Sequence, residues 1–270
     1  MSLYLLLAVF GCLAGVTTVL FGFGGGFVVV PLLYKLLTLT HPPASPAATA
    51  AMQIAVATST CVMIFGAAMA TRRHQRAGNI EWPRVRPLLI PIAIGAAGGA
   101  AAATLVDSDS LRWAFAAYLA LTIVDCVVRP GFMARPAVAA KDAGAGSNTV
   151  VGLIIGMIAA FLGVGGSVMT VPLMRRRGVD MTRATAMANP LSLPVALAGA
   201  AAYVVLAWQA PTLGAWHIGY VDLRALLILI AGSWLGIRLT SPFIGKVPDR
   251  VHARVYVGLL VLVLVAMLVR

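Results

Sequence analysis

Apolar residues run along this chain in long blocks, and short basic segments separate them. Such blocks occupy 88–105, 150–173, 187–208, 225–239 and 255–269. A helix needs about 20 apolar residues to cross a hydrocarbon core of about 30 Å. The pattern therefore predicts an all-α integral membrane protein with several membrane-spanning helices.

The composition strengthens this prediction. Of the 270 residues, 61% are hydrophobic and 10% are charged, and the mean hydropathy is +0.97. A soluble globular chain carries roughly 25% charged residues. A single core has no room for this much apolar surface, so the lipid bilayer is the expected environment.

The net charge of +12 raises the question of nucleic-acid binding. The 20 lysines and arginines lie in the short segments between apolar blocks, where such residues set membrane topology. Aromatic residues make up only 7% of the chain, and no basic face alternates with aromatic side chains for base stacking. We therefore expect no nucleic-acid partner.

The residues that carry enzyme and metal chemistry are few and scattered. The three cysteines are isolated within apolar blocks and are expected to pack as small side chains. The four histidines are spread along the block edges, which predicts no metal site. No serine or cysteine nucleophile lies beside a base, and the glycine-rich runs lack the lysine of a nucleotide-binding loop. The sequence predicts no enzyme and no cofactor.

A glycine-rich segment occurs twice in the chain. Residues 22–33, GFGGGFVVVPLL, align without gaps on residues 163–174, GVGGSVMTVPLM. Farther on, Ala48-Thr49-Ala50 with Gln53 matches Ala184-Thr185-Ala186 with Asn189, and residues 78–81 match 219–222. Three matches in the same order predict an N-terminal repeat (1–128), a polar cytoplasmic connector (129–146) and a C-terminal repeat (147–270).

Each glycine-rich segment is either a kinked helix that crosses the membrane or a hairpin that enters and leaves on one side. Residues 3–37 would span about 52 Å as one helix, which is too long for an ordinary crossing. Two hairpins place 16 basic residues on one face and four on the other, whereas eight plain crossings divide them evenly. The positive-inside rule favours the hairpins, because only they produce a basic cytoplasmic face.

The hairpin topology has consequences for the whole architecture. Each half has one hairpin and three crossings, so the halves are inverted and both termini lie outside. Inverted repeats with broken helices at the membrane midplane are common in secondary transporters. Proline removes a backbone donor, so we expect the breaks at both glycines and prolines. The predicted break residues are Gly22, Pro31, Gly163, Pro172 and Pro190.

The glycine breaks also predict a binding site. A half-helix that begins at such a break directs unpaired N–H groups and a partial positive charge into the membrane, where they can bind an anion. The alternative is close packing of helices at small residues. The predicted substrate-binding residues are Gly24, Gly25, Gly26, Thr49, Gln53, Gly165, Gly166, Ser167, Thr185 and Asn189.

Asp125 is the one acidic residue well within an apolar block. Buried ionisable residues in membranes are costly and often functional, so Asp125 is a candidate proton carrier. It also lies four residues before Arg129, and a helical ion pair between the two is the interpretation that the spacing favours.

The paired glycine runs, each followed by Val-Pro-Leu, resemble the TauE/SafE family of sulfite exporters. The resemblance covers essentially the whole chain and assigns the two glycine-and-proline segments to the family motif. Ser167 departs from a strict triple glycine, which puts the equivalence of the two half-sites in question.

The resemblance implies a multi-pass permease for small sulfur-containing anions such as sulfite, sulfoacetate or another organosulfonate, in a bacterial-type inner membrane. A passive anion channel, a permease for a different small solute and a membrane scaffold without transport remain alternatives. The oligomeric state stays open, with a homodimer among the candidates.

Overall fold

The computed structural model describes residues 3–129, 132–133, 145–206, 213 and 216–269. Most of the predicted connector (129–146) lies outside these residues. The described helices are α1 (Leu3–Phe21), α2 (Gly26–Thr40), α3 (Pro46–Thr49), α4 (Ala51–Arg76), α5 (Trp82–Thr104), α6 (Ser108–Val128), α7 (Ala145–Leu162), α8 (Ser167–Arg176), α9 (Met181–Leu206), α10 (Leu223–Thr240) and α11 (Asp249–Leu268), with a 3-10 helix at Ser241–Phe243. Two short strands, β1 (His217–Ile218) and β2 (Val221–Asp222), pair antiparallel.

The bundle has the dimensions of a membrane protein. Among the described helices, α1, α4, α5, α6, α9, α10 and α11 are each long and apolar enough to cross a membrane. Large apolar side chains on the outside remain exposed, such as Leu121 at 71% and Leu227 at 63%. The prediction of an all-α integral membrane protein is confirmed.

The chain reverses direction at each glycine-rich segment. We call α1 with α2 the first hairpin and α7 with α8 the second hairpin. In the first hairpin, Leu3 and Leu7 of α1 line one cavity together with Leu36 and Leu37 of α2. In the second hairpin, the guanidinium of Arg177 donates to Asn148 Oδ1 at 3.0 Å, which joins its two ends.

Glycines and not prolines make the breaks. Gly22 and Gly163 directly follow the last residues of α1 and α7 and have φ angles of +74° and +66°. Residues with a side chain rarely adopt this left-handed conformation. The prediction that prolines break helices was wrong: Pro31, Pro172 and Pro190 lie inside α2, α8 and α9. Each proline removes only one backbone hydrogen bond, and neighbouring helices make that loss tolerable.

Two helix pairs join the N-terminal half of the chain to the C-terminal half through small residues. Gly11 and Gly15 of α1 face α10, and a Cβ added to Gly15 would lie 2.2 Å from the carbonyl oxygen of Ser233. Gly152 and Gly156 of α7 face α5, and a Cβ on Gly156 would lie 2.0 Å from the carbonyl oxygen of Ile92. This is small-residue packing as membrane helices use it, and it holds the backbones in direct contact.

The centre of the bundle is formed by α4 and α9, the two longest helices, with 26 residues each. The most apolar window of α4 is 67% buried, against 39% for α1. Both hairpins pack against this central pair. The end of the first hairpin packs on the first turn of α4, where Leu37 meets Ile54. The open end of the second hairpin lies beyond the last turn of α4, where a cavity brings Asn148 beside Glu81.

Candidate functional site

The two glycine breaks meet at the middle of the bundle. A Cβ added to Gly26 would lie 2.3 Å from the carbonyl oxygen of Gly163, so the first residue of α2 touches the end of α7 directly. A Cβ on Gly165 would lie 3.3 Å from the carbonyl oxygen of Phe23. Only residues without a side chain allow the two breaks to approach this closely. We call this contact region the glycine junction.

The helices α4 and α9 hold the junction from two sides. A Cβ on Gly24 would lie 2.9 Å from Met63 Sδ, and a Cβ on Gly165 would lie 2.8 Å from Ser192 Oγ. Met63 is residue 13 of 26 in α4, and Ser192 is residue 12 of 26 in α9. The junction therefore lies at mid-height of the bundle.

Polar groups at the junction are few and buried. Ser59 Oγ donates to the Gly163 carbonyl oxygen at 3.1 Å, which ties α4 to the second break. Ser192 Oγ donates to the Ala188 carbonyl within its own helix at 2.9 Å. Phe23, Ser167 and Ser192 have no exposed surface, so the junction is buried within the bundle.

The junction collects the N-termini of two helices. Helix α2 begins at Gly26 and α8 begins at Ser167, and the preceding glycines provide no side-chain cap to either helix. An uncapped N-terminus presents backbone N–H groups and about half a unit of positive charge. Two such ends beside one another in a buried setting favour a bound anion.

The carbonyl ends of the broken helices, in contrast, are satisfied by side chains. Nε2 of His74 lies 2.8 Å from the Val19 carbonyl oxygen, and Nε2 of His252 lies 2.6 Å from the Leu20 carbonyl oxygen. A carbonyl only accepts, so Nε2 carries the proton in both rings. In the second hairpin, the Tyr203 hydroxyl donates to the Ala160 carbonyl at 3.0 Å. These bonds neutralise the negative ends of α1 and α7 but leave the positive ends of α2 and α8 open.

The histidine bond gives a testable prediction for the first hairpin. We expect His74→Leu to lower the free energy of unfolding by about 1–3 kcal/mol, because the buried Val19 carbonyl loses its donor. His74→Gln keeps a donor and should recover part of the loss. Thermal unfolding of the detergent-purified protein measures both.

Tyr203→Phe is the matched control, because it removes one hydroxyl from the corresponding bond of the second hairpin. A loss of similar size is expected there. If His74→Leu and His74→Gln unfold at the same temperature, the ring serves packing and not the carbonyl.

An aromatic stack closes one side of the junction. The ring centroids of Phe23 and Phe27 lie 4.2 Å apart, and those of Phe23 and Tyr256 lie 4.7 Å apart. The Tyr256 hydroxyl donates to the Ser167 carbonyl at 3.3 Å. The stack therefore bridges α2, α8 and α11 directly at the glycine junction.

The structure brings some of the predicted site residues to the junction. Gly24, Gly26 and Gly165 form it, and Ser167 begins α8 beside it. Gly25 and Gly166 are adjacent in sequence to junction residues but point to other neighbours: Gly25 faces Thr18, and Gly166 faces Ile155.

The predicted residues of α9 are also buried nearby. Thr185 Oγ1 donates within its helix to Met181, and the Thr185 backbone packs against Gly22. The Asn189 amide donates to the Thr185 carbonyl, whereas Asn189 Oδ1 has no partner among the described residues.

Thr49 and Gln53 lie elsewhere. Thr49 is an exposed residue of α3, and Gln53 Nε2 donates to the Val106 carbonyl at 2.7 Å. Ser108 Oγ bridges the Gln53 side chain and the Thr49 carbonyl. Both residues therefore fasten the turn before α6 and do not reach the glycine junction.

Three residues that contact the junction, Ser59, Met63 and Ser192, were not among the predicted site residues. Ser192 lies one helical turn after Asn189, so the helical period placed it on a similar face. Met63 and Ser59 carried no such signal, since both lie in a continuous buried stretch of α4.

Asp125 forms the predicted ion pair with Arg129, at 3.3 Å. It also pairs with Arg176 at the end of α8. The two residues are 51 positions apart, so helical spacing could not predict this contact. Asp125 thus joins α6 to the second hairpin at the end of the bundle.

A bundle of membrane-spanning helices in which two broken helices meet at mid-height is typical of secondary transporters. The chain belongs to the sulfite exporter TauE/SafE family, which it matches over residues 7–267. The family resemblance drawn from the glycine motifs is confirmed.

Three curated relatives are each named as a probable membrane transporter protein. The relative from Haemophilus influenzae is 28% identical over 244 residues, which cover 90% of both chains. Those from Methanocaldococcus jannaschii and Bacillus subtilis are 24% and 25% identical, and each alignment covers 87% of this chain and 86% of the relative. No solved structure matches the chain.

Proposed function

We propose that this protein transports a small sulfur-containing anion, such as sulfite, sulfoacetate or another organosulfonate, as an exporter or facilitator. The anion binds at the glycine junction. The observation that carries the proposal is the meeting of two uncapped helix N-termini beside Ser192, at mid-height of the bundle. The family name supplies the sulfur oxyanion, and the site supplies the preference for negative charge.

The contacts support an inverted arrangement of the two halves. Helix α1 packs on α10, and α7 packs on α5 in the corresponding way. The Val19 carbonyl meets His74 of α4, and the Ala160 carbonyl meets Tyr203 of α9. One hairpin opens at the start of α4 and the other beyond its end. Inverted repeats of this kind place the substrate site near the bilayer midplane, at the interface of the repeats.

Charge distribution supports an orientation in a bacterial-type inner membrane. The end of the bundle at the second hairpin carries Arg84, Arg175, Arg176 and Arg183, which pair there with acidic residues. By the positive-inside rule this end faces the cytoplasm, which leaves both termini outside. A negative-inside potential then drives an anion outward by about 2.3 kcal/mol per charge per 100 mV.

Transport requires that the closed junction opens to each side in turn. The aromatic stack of Phe23, Phe27 and Tyr256 lies at the junction, and the buried pair of Arg175 with Asp249 lies at the second-hairpin end. Together they form the inner barrier. Movement of the second hairpin relative to α11 opens it, because both closures join those elements.

The test is flux in proteoliposomes with sulfite, sulfoacetate, taurine and sulfate, together with thermal shift of the purified protein. We expect one sulfur anion to stabilise the wild type and to show saturable flux. Gly165→Leu should remove both effects, since its side chain enters the space between Ser192 and Met63. Gly98→Leu is the matched control, because no atom lies within 4 Å of a Cβ there.

Other outcomes assign other functions. Flux without saturation and without stimulation by substrate on the far side indicates a passive channel. Neither binding nor flux with any of the four anions removes the sulfur-anion assignment and leaves a different solute or a scaffold.

A further inference from the structure

A groove runs along the outside of the bundle between α6 and the second hairpin. Its volume is about 590 Å³, and its walls are mostly apolar. Val124 of α6 and Ile154 of α7 stand on its rims, with 57% and 47% of their surfaces exposed. In a membrane this groove opens sideways to lipid.

One end of the groove is charged. Arg129, Arg176 and Asp125 lie there, and the two arginines exceed the single carboxylate by one positive charge. The Nε–H group of Arg176 is buried and has no hydrogen-bond partner among the described residues. The Arg129 side chain is 68% exposed, and its Nε lies 3.3 Å from Asp125 Oδ1.

The length of the groove matches one leaflet of a bilayer. Its α6 wall extends from Tyr118 to Arg129, which is about 16 Å at 1.5 Å per residue. Half of a hydrocarbon core is about 15 Å thick. The charged end coincides with the basic end of the bundle, so the apolar part extends from the headgroup level toward the midplane.

We propose that this groove binds an anionic phospholipid of the same leaflet. Its phosphate lies against Arg129 and Arg176, whose planar guanidinium groups suit phosphate geometry, and one acyl chain follows α6. Basic pockets between membrane helices on the cytoplasmic side are typical sites for such headgroups. The lipid fills the space between α6 and the second hairpin, so it holds that hairpin at its distance from α6.

The test is native mass spectrometry of the purified protein with phosphatidylglycerol or phosphatidylcholine of identical acyl chains. We expect a retained adduct with phosphatidylglycerol and little with phosphatidylcholine. Arg129→Gln should lower the phosphatidylglycerol adduct about fivefold, the equivalent of one basic residue at a membrane surface. Arg254→Gln, an exposed arginine of α11, should leave the adduct unchanged.

A second variant tests the chain-binding part without altering charge. Ile154→Trp fills the groove and should reduce lipid retention, whereas Val261→Trp, on the exposed face of α11, should not. Equal retention of both lipids by the wild type overturns the headgroup assignment. Displacement of the adduct by inorganic phosphate identifies a free-anion site instead. Loss of adduct only in dimers identifies a second copy of the chain as the occupant.

Discussion

Alanine at position 26 is expected to stop substrate flux and to destabilise the protein, although it adds only one methyl group. The new Cβ would lie 2.3 Å from the carbonyl oxygen of Gly163. That oxygen belongs to a backbone that cannot turn aside as a side chain does. The two glycine breaks must therefore separate, at an expected cost of at least about 2 kcal/mol for overpacking a tight contact. The N-termini of α2 and α8 would then lie too far apart to bind the one anion proposed above.

Gly258→Ala is the matched control for this change. It adds the same methyl group to a glycine of α11 that has no atom within 4 Å of the added position. There the gain in helix propensity should leave the protein as stable as the wild type or slightly more so. Thermal unfolding and proteoliposome flux compare the two variants directly. Wild-type flux and stability in Gly26→Ala would mean that the two breaks do not touch.

The positions of the glycine breaks were predictable from the sequence because a cluster of glycines occurs twice, at aligned positions and with a proline at the same spacing after each. Two aligned runs, each starting with Gly22 or Gly163, marked places where the chain leaves helical geometry. Their left-handed φ angles supply the physical reason. Pro31 and Pro172 were also predicted as breaks, but the helices continue past them. Proline costs a helix only one hydrogen bond, whereas a reversal needs a residue that adopts a positive φ.

The partners of the breaks were harder to predict. The sequence matched Thr49 and Gln53 with Thr185 and Asn189 on a few shared residue types. In the structure Thr49 lies in α3, before α4 begins at Ala51, so a break in the helix separates it from the central face. The residues that actually meet both breaks are Met63 and Ser192. A methionine and a serine share no chemistry that an alignment detects.

For helix pairing, too, the sequence predicts that a helix packs closely but not which helix is its partner. Small residues four apart are visible in the sequence at Gly11 and Gly15 and at Gly232 and Gly236. Their spacing indicates close packing in a membrane. It does not say that α1 chooses α10, because that choice depends on the tertiary arrangement of all the helices.

The buried ion pair at the end of the second hairpin carries the other large expected effect. Arg175 has no exposed surface, and its guanidinium donates to both oxygens of Asp249 at 3.1 and 3.0 Å and to the Phe132 carbonyl. Asp249 also accepts the N–H of Met181 at 2.7 Å. One arginine thus connects the end of α8 to the starts of α9 and α11.

We expect Arg175→Met to lower the free energy of unfolding by about 3 kcal/mol. This is the low end of the range for breaking a buried pair, because Asp249 is 38% exposed and water screens its charge in part. The loosened inner barrier should also let substrate leak inward in proteoliposomes. Arg254→Met removes an exposed arginine of α11 and should leave both measurements near wild type.

The double variant Arg175→Met with Asp249→Leu separates charge from connection. Removing both charges eliminates the unpaired carboxylate, so stability should recover in part. Full recovery is not expected, because the Phe132 carbonyl and the Met181 N–H both lose their side-chain partners. A double variant less stable than Arg175→Met would show that the bond from Met181 N–H to Asp249 contributes more stability than the unpaired carboxylate costs. A leak that persists after stability recovers would assign the inner barrier to the connection between α8 and α11 itself.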